Sequence, residues 1–96
     1  MTTSKTEPPP ILLVDDETQL LRSYEFALRF GGYISILPCD DSREVMTLLR
    51  KFGASAVLLD LTMPHVTGEE LLEKIAAEYP EIPVVVITGN DTVETA

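Results

Sequence analysis

Ala56-Val57-Leu58-Leu59-Asp60-Leu61-Thr62-Met63-Pro64 is the stretch on which the reading of this chain turns. A short apolar run bounded by turn signals reads as a buried strand. A carboxylate at the carboxyl end of such a strand projects into the crevice where open α/β sheets bind ligands. A second apolar run, Ile11-Leu12-Leu13-Val14, leads directly into Asp15 and Asp16. If the two strands are neighbours, three carboxylates meet at one edge of the sheet. Clustered carboxylates repel one another unless a cation sits among them, so the pattern predicts a metal site.

Working outward from these runs, strands alternate with helices. Thr18 to Phe30 predicts a helix with Leu20, Tyr24, Ala27 and Leu28 recurring at helical spacing, and Gly31-Gly32 stops it. Tyr33 to Leu37 is β-branched and aromatic and predicts a second strand. Asp41 and Glu44 fit a cap for a helix running to about Phe52, with Gly53 ending it. Ala54 to Leu59 predicts the third strand. Thr67-Gly68-Glu69-Glu70 forms a capping box for a helix whose buried face is Leu71, Leu72, Ile75 and Tyr79, ended by Pro80. Pro83 to Thr88 predicts a fourth strand, and Asp91 with Glu94 the opening of another helix. Such alternation with short connections builds parallel βαβ units, and the nearly continuous apolar strands imply cover on both faces.

Composition bounds the function. The 96 residues suffice for one domain, 45% are hydrophobic, and 24% are charged. A net charge of -9 with scattered Lys and Arg argues against direct nucleic-acid binding. No apolar run approaches a membrane span, and the first residues lack the apolar core of a signal peptide. Residues 1–9 read as a disordered polar leader and 10–96 as the folded domain. Cys39, the single cysteine, permits no internal disulfide and fits a reducing compartment as a small residue near a strand end. His65, the single histidine, excludes a histidine-rich metal site and reads as a solvated loop residue.

The acids have a definite chemistry available. An aspartate is a usable nucleophile toward a phosphoryl group, giving an acyl phosphate, once the charges on both partners are neutralised. Mg²⁺ is the usual agent, bound by one or two carboxylates with water and phosphate oxygens. Asp15 and Asp16 can supply one direct carboxylate and one through water, and Asp60 can be both ligand and nucleophile. The carbonyl of Thr62 offers another oxygen, and the Thr88 hydroxyl can donate to a phosphoryl oxygen. Plainer roles stand beside these: Asp15 and Asp16 as caps of the first helix, Asp60 as a loop-start acceptor, Thr88 as a strand-end hydroxyl. Glu69, Glu73 and Glu78 read as a solvated face.

The ordered set Asp15-Asp16-Glu17, Asp60, Met63-Pro64, Gly68 and Val85-Val86-Ile87-Thr88-Gly89 resembles the response-regulator receiver domain of two-component signalling, from Pro10 to Ala96. The resemblance implies a flavodoxin-like parallel sheet of strand order 2-1-3-4. It implies Mg²⁺ on Asp15, Asp16, Asp60 and the Thr62 carbonyl. It further implies phosphorylation of Asp60 by a histidine kinase or phosphotransfer protein, phosphate contact and switching at Thr88, and output through altered protein–protein contacts in the cytoplasm rather than catalysis. Thr88-Gly89-Asn90-Asp91 is most similar to receivers of enhancer-binding transcription activators. The family's fifth strand, with its lysine and aromatic switch residue, and its fifth helix fall beyond Ala96. None of Lys5, Lys51 and Lys74 stands at the end of a strand. A domain missing these parts would expose the fourth-strand edge, Val84 to Ile87, and invite homo-oligomerisation or swapping. Two other readings compete: an interaction module completed by a partner or second copy, with vestigial phosphorylation, and a phosphohydrolase resembling the haloacid dehalogenases. The second acid of that class would fall at Thr62.

Overall fold

The strands and helices follow one another as the hydrophobic pattern predicts. The computed structural model describes residues 8–61, 63, 65–87 and 93–95, the last three as backbone. In chain order the elements are β1 (Ile11–Val14), α1 (Thr18–Phe30), β2 (Ile36–Cys39), a 3-10 turn (Ser42–Glu44) running into α2 (Val45–Phe52), β3 (Ala56–Asp60), α3 (Gly68–Glu78), β4 (Val84–Ile87) and β5 (Val93–Thr95). The sheet order is β2-β1-β3-β4-β5. The first four strands are parallel in the expected order 2-1-3-4, and β5 lies antiparallel on β4.

Topology decides which face each helix covers. The chain steps from β1 to β2 in one direction and from β2 to β3 in the other. Right-handed crossovers in opposite directions place their helices on opposite faces. Accordingly α1 packs on Ile11 and Leu13 through Leu21, with Tyr24 and Leu28 half-buried beside them. Helices α2 and α3 cover the other face through Val45, Leu49, Leu71 and Ile75, against Leu12, Val14, Val57, Leu59, Val84 and Val86.

Several boundaries differ from expectation. Strand β2 begins three residues later than the sequence pattern indicates. Its position is set by pairing with β1, Ile11 opposite Ile36 and Leu13 opposite Pro38, rather than by the apolar run itself. Pro38 is tolerated because β2 is an edge strand. Tyr33 and Ile34 stay largely exposed in the preceding loop, where the Arg29 guanidinium donates to the Ile34 carbonyl at 3.2 Å. The buried line of α1 runs through Leu21, Tyr24 and Leu28, leaving Leu20 and Ala27 outside, because two apolar stripes compete on this helix and the sheet selects one. Strand β3 runs from Ala56 and includes Asp60 as its last residue. Asp41 caps its segment as expected, accepting from the Arg43 amide at 3.0 Å, but the first turn is 3-10.

The end of the chain departs most. The expected helix at Asp91 and Glu94 is absent from Val93–Thr95, which form a strand: Ile87 pairs with Val93 and Val85 with Thr95. The bare fourth-strand edge, on which the expectation of oligomerisation rested, is therefore taken by the chain itself over these residues. An unpaired ladder of buried backbone groups is costly, and β-branched Val93 and Thr95 suit a strand better than a helix start.

Helix α3 has the predicted capping box. The Thr67 amide donates to Glu70 Oε1 at 2.9 Å, and the Glu70 amide donates to Thr67 Oγ1 at 3.2 Å. Thr67→Ala removes the hydroxyl that accepts from the Glu70 amide, leaves only the backbone half of the box, and is expected to lower stability by about 1 kcal/mol, measured by urea unfolding.

Candidate functional site

The carboxyl edge of the sheet carries the site because β1 and β3 are adjacent. Val14 pairs with Leu59, so the residues that follow, Asp15 and Asp60, come side by side at the point where the chain reverses its winding. Asp16 stands next along the chain. Carboxylate oxygens of Asp15, Asp16 and Asp60 lie within 4.8 Å of one another, and the three grade from buried Asp15 through half-buried Asp60 to exposed Asp16. The cluster predicted from the sequence is therefore assembled.

Asp15 is held most firmly. Its amide donates to the Cys39 carbonyl at 3.1 Å, extending the β1–β2 ladder. Its Oδ1 accepts from the Glu17 amide at 2.9 Å, so it also turns the chain toward α1. It is 3% exposed. Burial pushes its carboxyl from 3.8 up to about 6; the Glu17 amide opposes this, and the charges of Asp60, Asp16 and Glu17 add to it. The plainer role as a helix-entry acceptor is thus real for Asp15, but one hydrogen bond does not account for three acids converging. A buried acid pressed by two others is an environment that a hard divalent cation relieves, and an all-oxygen donor set suits Mg²⁺. Residues Thr62 and Thr88, expected to contribute a carbonyl and a hydroxyl, lie outside the described residues, as does the leader through residue 7.

Beside Asp16, on one side of the cluster, lies an open cleft of about 410 Å³ bordered also by Asp40, Asp41, Arg43, Met63 and His65. Met63 is buried and anchors the loop after β3 in the α2–α3 core. His65 is exposed, as expected, with φ of 67°. The Arg43 guanidinium grips both oxygens of Asp41 at 3.0 Å and holds that carboxyl down at about 2. This clamp neutralises one acid at the rim of the cleft and gives Asp41 a second role beside its cap. The Cys39 thiol is buried, donates to the Asp41 carbonyl at 3.1 Å, and is pushed up by burial, in keeping with a packing role.

Comparison with known proteins places this geometry. The family model of the response regulator receiver domain matches residues 11–96. The chain is 33% identical over 88 residues to the probable transcriptional regulatory protein TcrX of Mycobacterium tuberculosis, covering 92% of this chain and 37% of that protein. Its structure resembles a CheY-like response regulator receiver domain protein of Methanospirillum hungatei, with a TM-score of 0.79, 30% identity, and coverage of 86% of this chain and 66% of that one. It also resembles the response regulator TrrA of Thermotoga maritima, solved in complex with Mg²⁺ and beryllium fluoride, with a TM-score of 0.78, 25% identity, and coverage of 83% and 69%. The chain belongs to the response regulator receiver domain family. It spans little more than a third of the length of the curated regulators it matches first. Among the described residues, no helix is long and apolar enough to cross a membrane.

Proposed function

We propose that this chain is a phosphoacceptor of two-component signalling, in which Asp60 takes a phosphoryl group from a phosphohistidine on a histidine kinase or phosphotransfer protein in the cytoplasm. The observation that carries the reading is the meeting of Asp15, Asp16 and Asp60 at the carboxyl ends of β1 and β3. In the step, a carboxylate oxygen of Asp60 forms a bond to phosphorus while the bond from phosphorus to the imidazole nitrogen breaks. The imidazole leaves with the bonding pair, and an acyl phosphate remains on Asp60. Asp15, Asp16, Asp60 and the Thr62 carbonyl are the residues that would hold Mg²⁺, which would supply the positive charge that offsets the repulsion between the carboxylate and the phosphoryl group. Thr88 donates its hydroxyl to the transferred group and responds to it. The new charge alters contacts with partner proteins, and transcriptional output belongs to this proposal by analogy with the regulators the chain matches.

The test is direct. Incubation with Mg²⁺ and acetyl phosphate is expected to add the mass of one phosphoryl group to the intact protein. Asp60→Asn is expected to abolish the gain, and chelation of the metal to slow it severely. A wild-type protein that gains no mass from acetyl phosphate or from a phosphorylated kinase would overturn the reading.

A further inference from the structure

Gly68 opens α3 beneath the end of β3, and its surroundings leave no room for a side chain. A methyl group there would stand 2.6 Å from the carbonyl oxygen of Asp60 and 2.9 Å from Leu61 Cδ2, and closer still to Leu61 Cα. Real side chains do not approach backbone atoms so closely, so something must shift. Conformation is not what requires glycine here, because Gly68 is not among the glycines with positive φ. The requirement is close approach, and the Gly68 amide uses it to donate to the Leu61 carbonyl at 3.2 Å.

We infer that Gly68 is a positioning residue for Asp60: its lack of a side chain lets α3 seat against the Asp60–Leu61 peptide and so sets where the third carboxylate of the cluster stands. This rests on the phosphoacceptor reading and adds to it a residue that touches neither metal nor phosphate. Both sides of the contact are fastened, which determines what yields. Helix α3 is anchored by Leu71 and Ile75, 1% and 0% exposed, and by its capping box. The β3 ladder reaches the site with Asp60 opposite Ile87 and the Leu61 amide donating to the Ile87 carbonyl at 3.3 Å. Neither element slides freely, so an added methyl displaces the peptide at the strand's end. The Asp60 side chain departs from that peptide and moves with it. Asp15 and Asp16 follow β1 and do not share the displacement, so the spacing within the cluster changes.

The discriminating experiment compares metal affinity with stability. Mg²⁺ is titrated into wild type, Gly68→Ala and Leu71→Ala, followed by ¹H–¹⁵N NMR, with thermal unfolding of each measured alongside. Leu71→Ala leaves a cavity behind α3 without adding an atom near Asp60. It is expected to lose stability while keeping Mg²⁺ affinity within about twofold, well short of the loss that follows displacement of a ligand. Gly68→Ala is expected to weaken Mg²⁺ binding by about tenfold or more, the scale seen when a residue that orients a ligand is lost. If Gly68→Ala is poorly folded, trimethylamine N-oxide is added to restore compact protein and the titration is read on the folded resonances. Unchanged affinity in folded Gly68→Ala, or equal weakening in both variants, would overturn the inference. Absence of Mg²⁺ binding in the wild type would instead strike at the phosphoacceptor reading beneath it.

Discussion

Mg²⁺ added to the metal-free protein at pH 8 is expected to raise its unfolding temperature substantially, and at pH 4 to raise it hardly at all. The cause is Asp15. Its carboxyl is raised from 3.8 to about 6 by burial and by the charges of Asp60 and Asp16. A folded-state value above the unfolded one means that the folded protein favours the protonated acid. The contribution to stability is fully present below about pH 4, where both states are protonated. It is lost as the pH rises toward about 6, where the unfolded chain has already given up its proton and the folded chain does so at a cost. Above that the penalty is constant, on the order of 3 kcal/mol for the shift concerned. In a domain of this size that corresponds to an unfolding temperature lower by on the order of 10 °C.

A divalent cation bound among the three acids offsets the penalty and stabilises the fold further by mass action. Below pH 6 it must compete with the proton on Asp15, so its effect fades there. Asp15→Asn separates the two contributions. It removes the buried charge, so the metal-free variant is expected to be more stable than the wild type at pH 8 and no more stable at pH 4. The same change deletes one of the proposed ligands, so Mg²⁺ is expected no longer to raise its unfolding temperature. Calorimetric scans at several pH values, with chelator or with Mg²⁺, check every arm. A metal-free protein whose stability stays flat between pH 4 and 6 would refute the account of Asp15.

Ile75→Ala is expected to cost 2–5 kcal/mol, roughly the range for truncating a fully buried aliphatic side chain. Ile75 is 0% exposed and lies in the core between α3 and the sheet, with Val57, Leu59 and Val84 in the same cluster. Small domains are stable by about 5–15 kcal/mol in all, so this one change removes a large fraction. The α1 face should behave differently. Among the described residues its buried cluster comprises only Ile11, Leu13 and Leu21, whereas the opposite face holds thirteen buried residues. Phe26, on α1, is 73% exposed. Phe26→Ser is therefore expected to change stability by less than about 0.5 kcal/mol despite the larger side chain. Urea unfolding of the two variants side by side measures the contrast. Equal losses would mean that the two faces share the core more evenly than their burial indicates.

Much of the site was legible because it depends on chain-local pattern. Val14 and Leu59 end apolar runs, and Asp15, Asp16 and Asp60 follow from where those runs stop. The Thr67–Glu70 capping box was legible for the same reason, since its partners are three residues apart. The Asp41–Arg43 clamp was not, because a cap and an ion pair at this spacing use the same residue types. The start of β2 and the buried line of α1 were misplaced because each apolar segment offers two registers, and only β1 and the sheet face choose between them.

By itself the sequence determined the alternation of elements, the parallel order of the first four strands, and the identity of the three acids. The alternation and parallel sense follow from local propensity, periodicity and short connections, while the strand order is what the family pattern implies. Only the tertiary structure decided that Val93–Thr95 close the β4 edge as a strand. It alone showed that burial presses Asp15 toward protonation, and that Gly68 is needed for space beside Asp60. Each of these is set by atoms distant in the chain and close in space: an unpaired ladder, a desolvating neighbour, a backbone carbonyl where a side chain would otherwise stand.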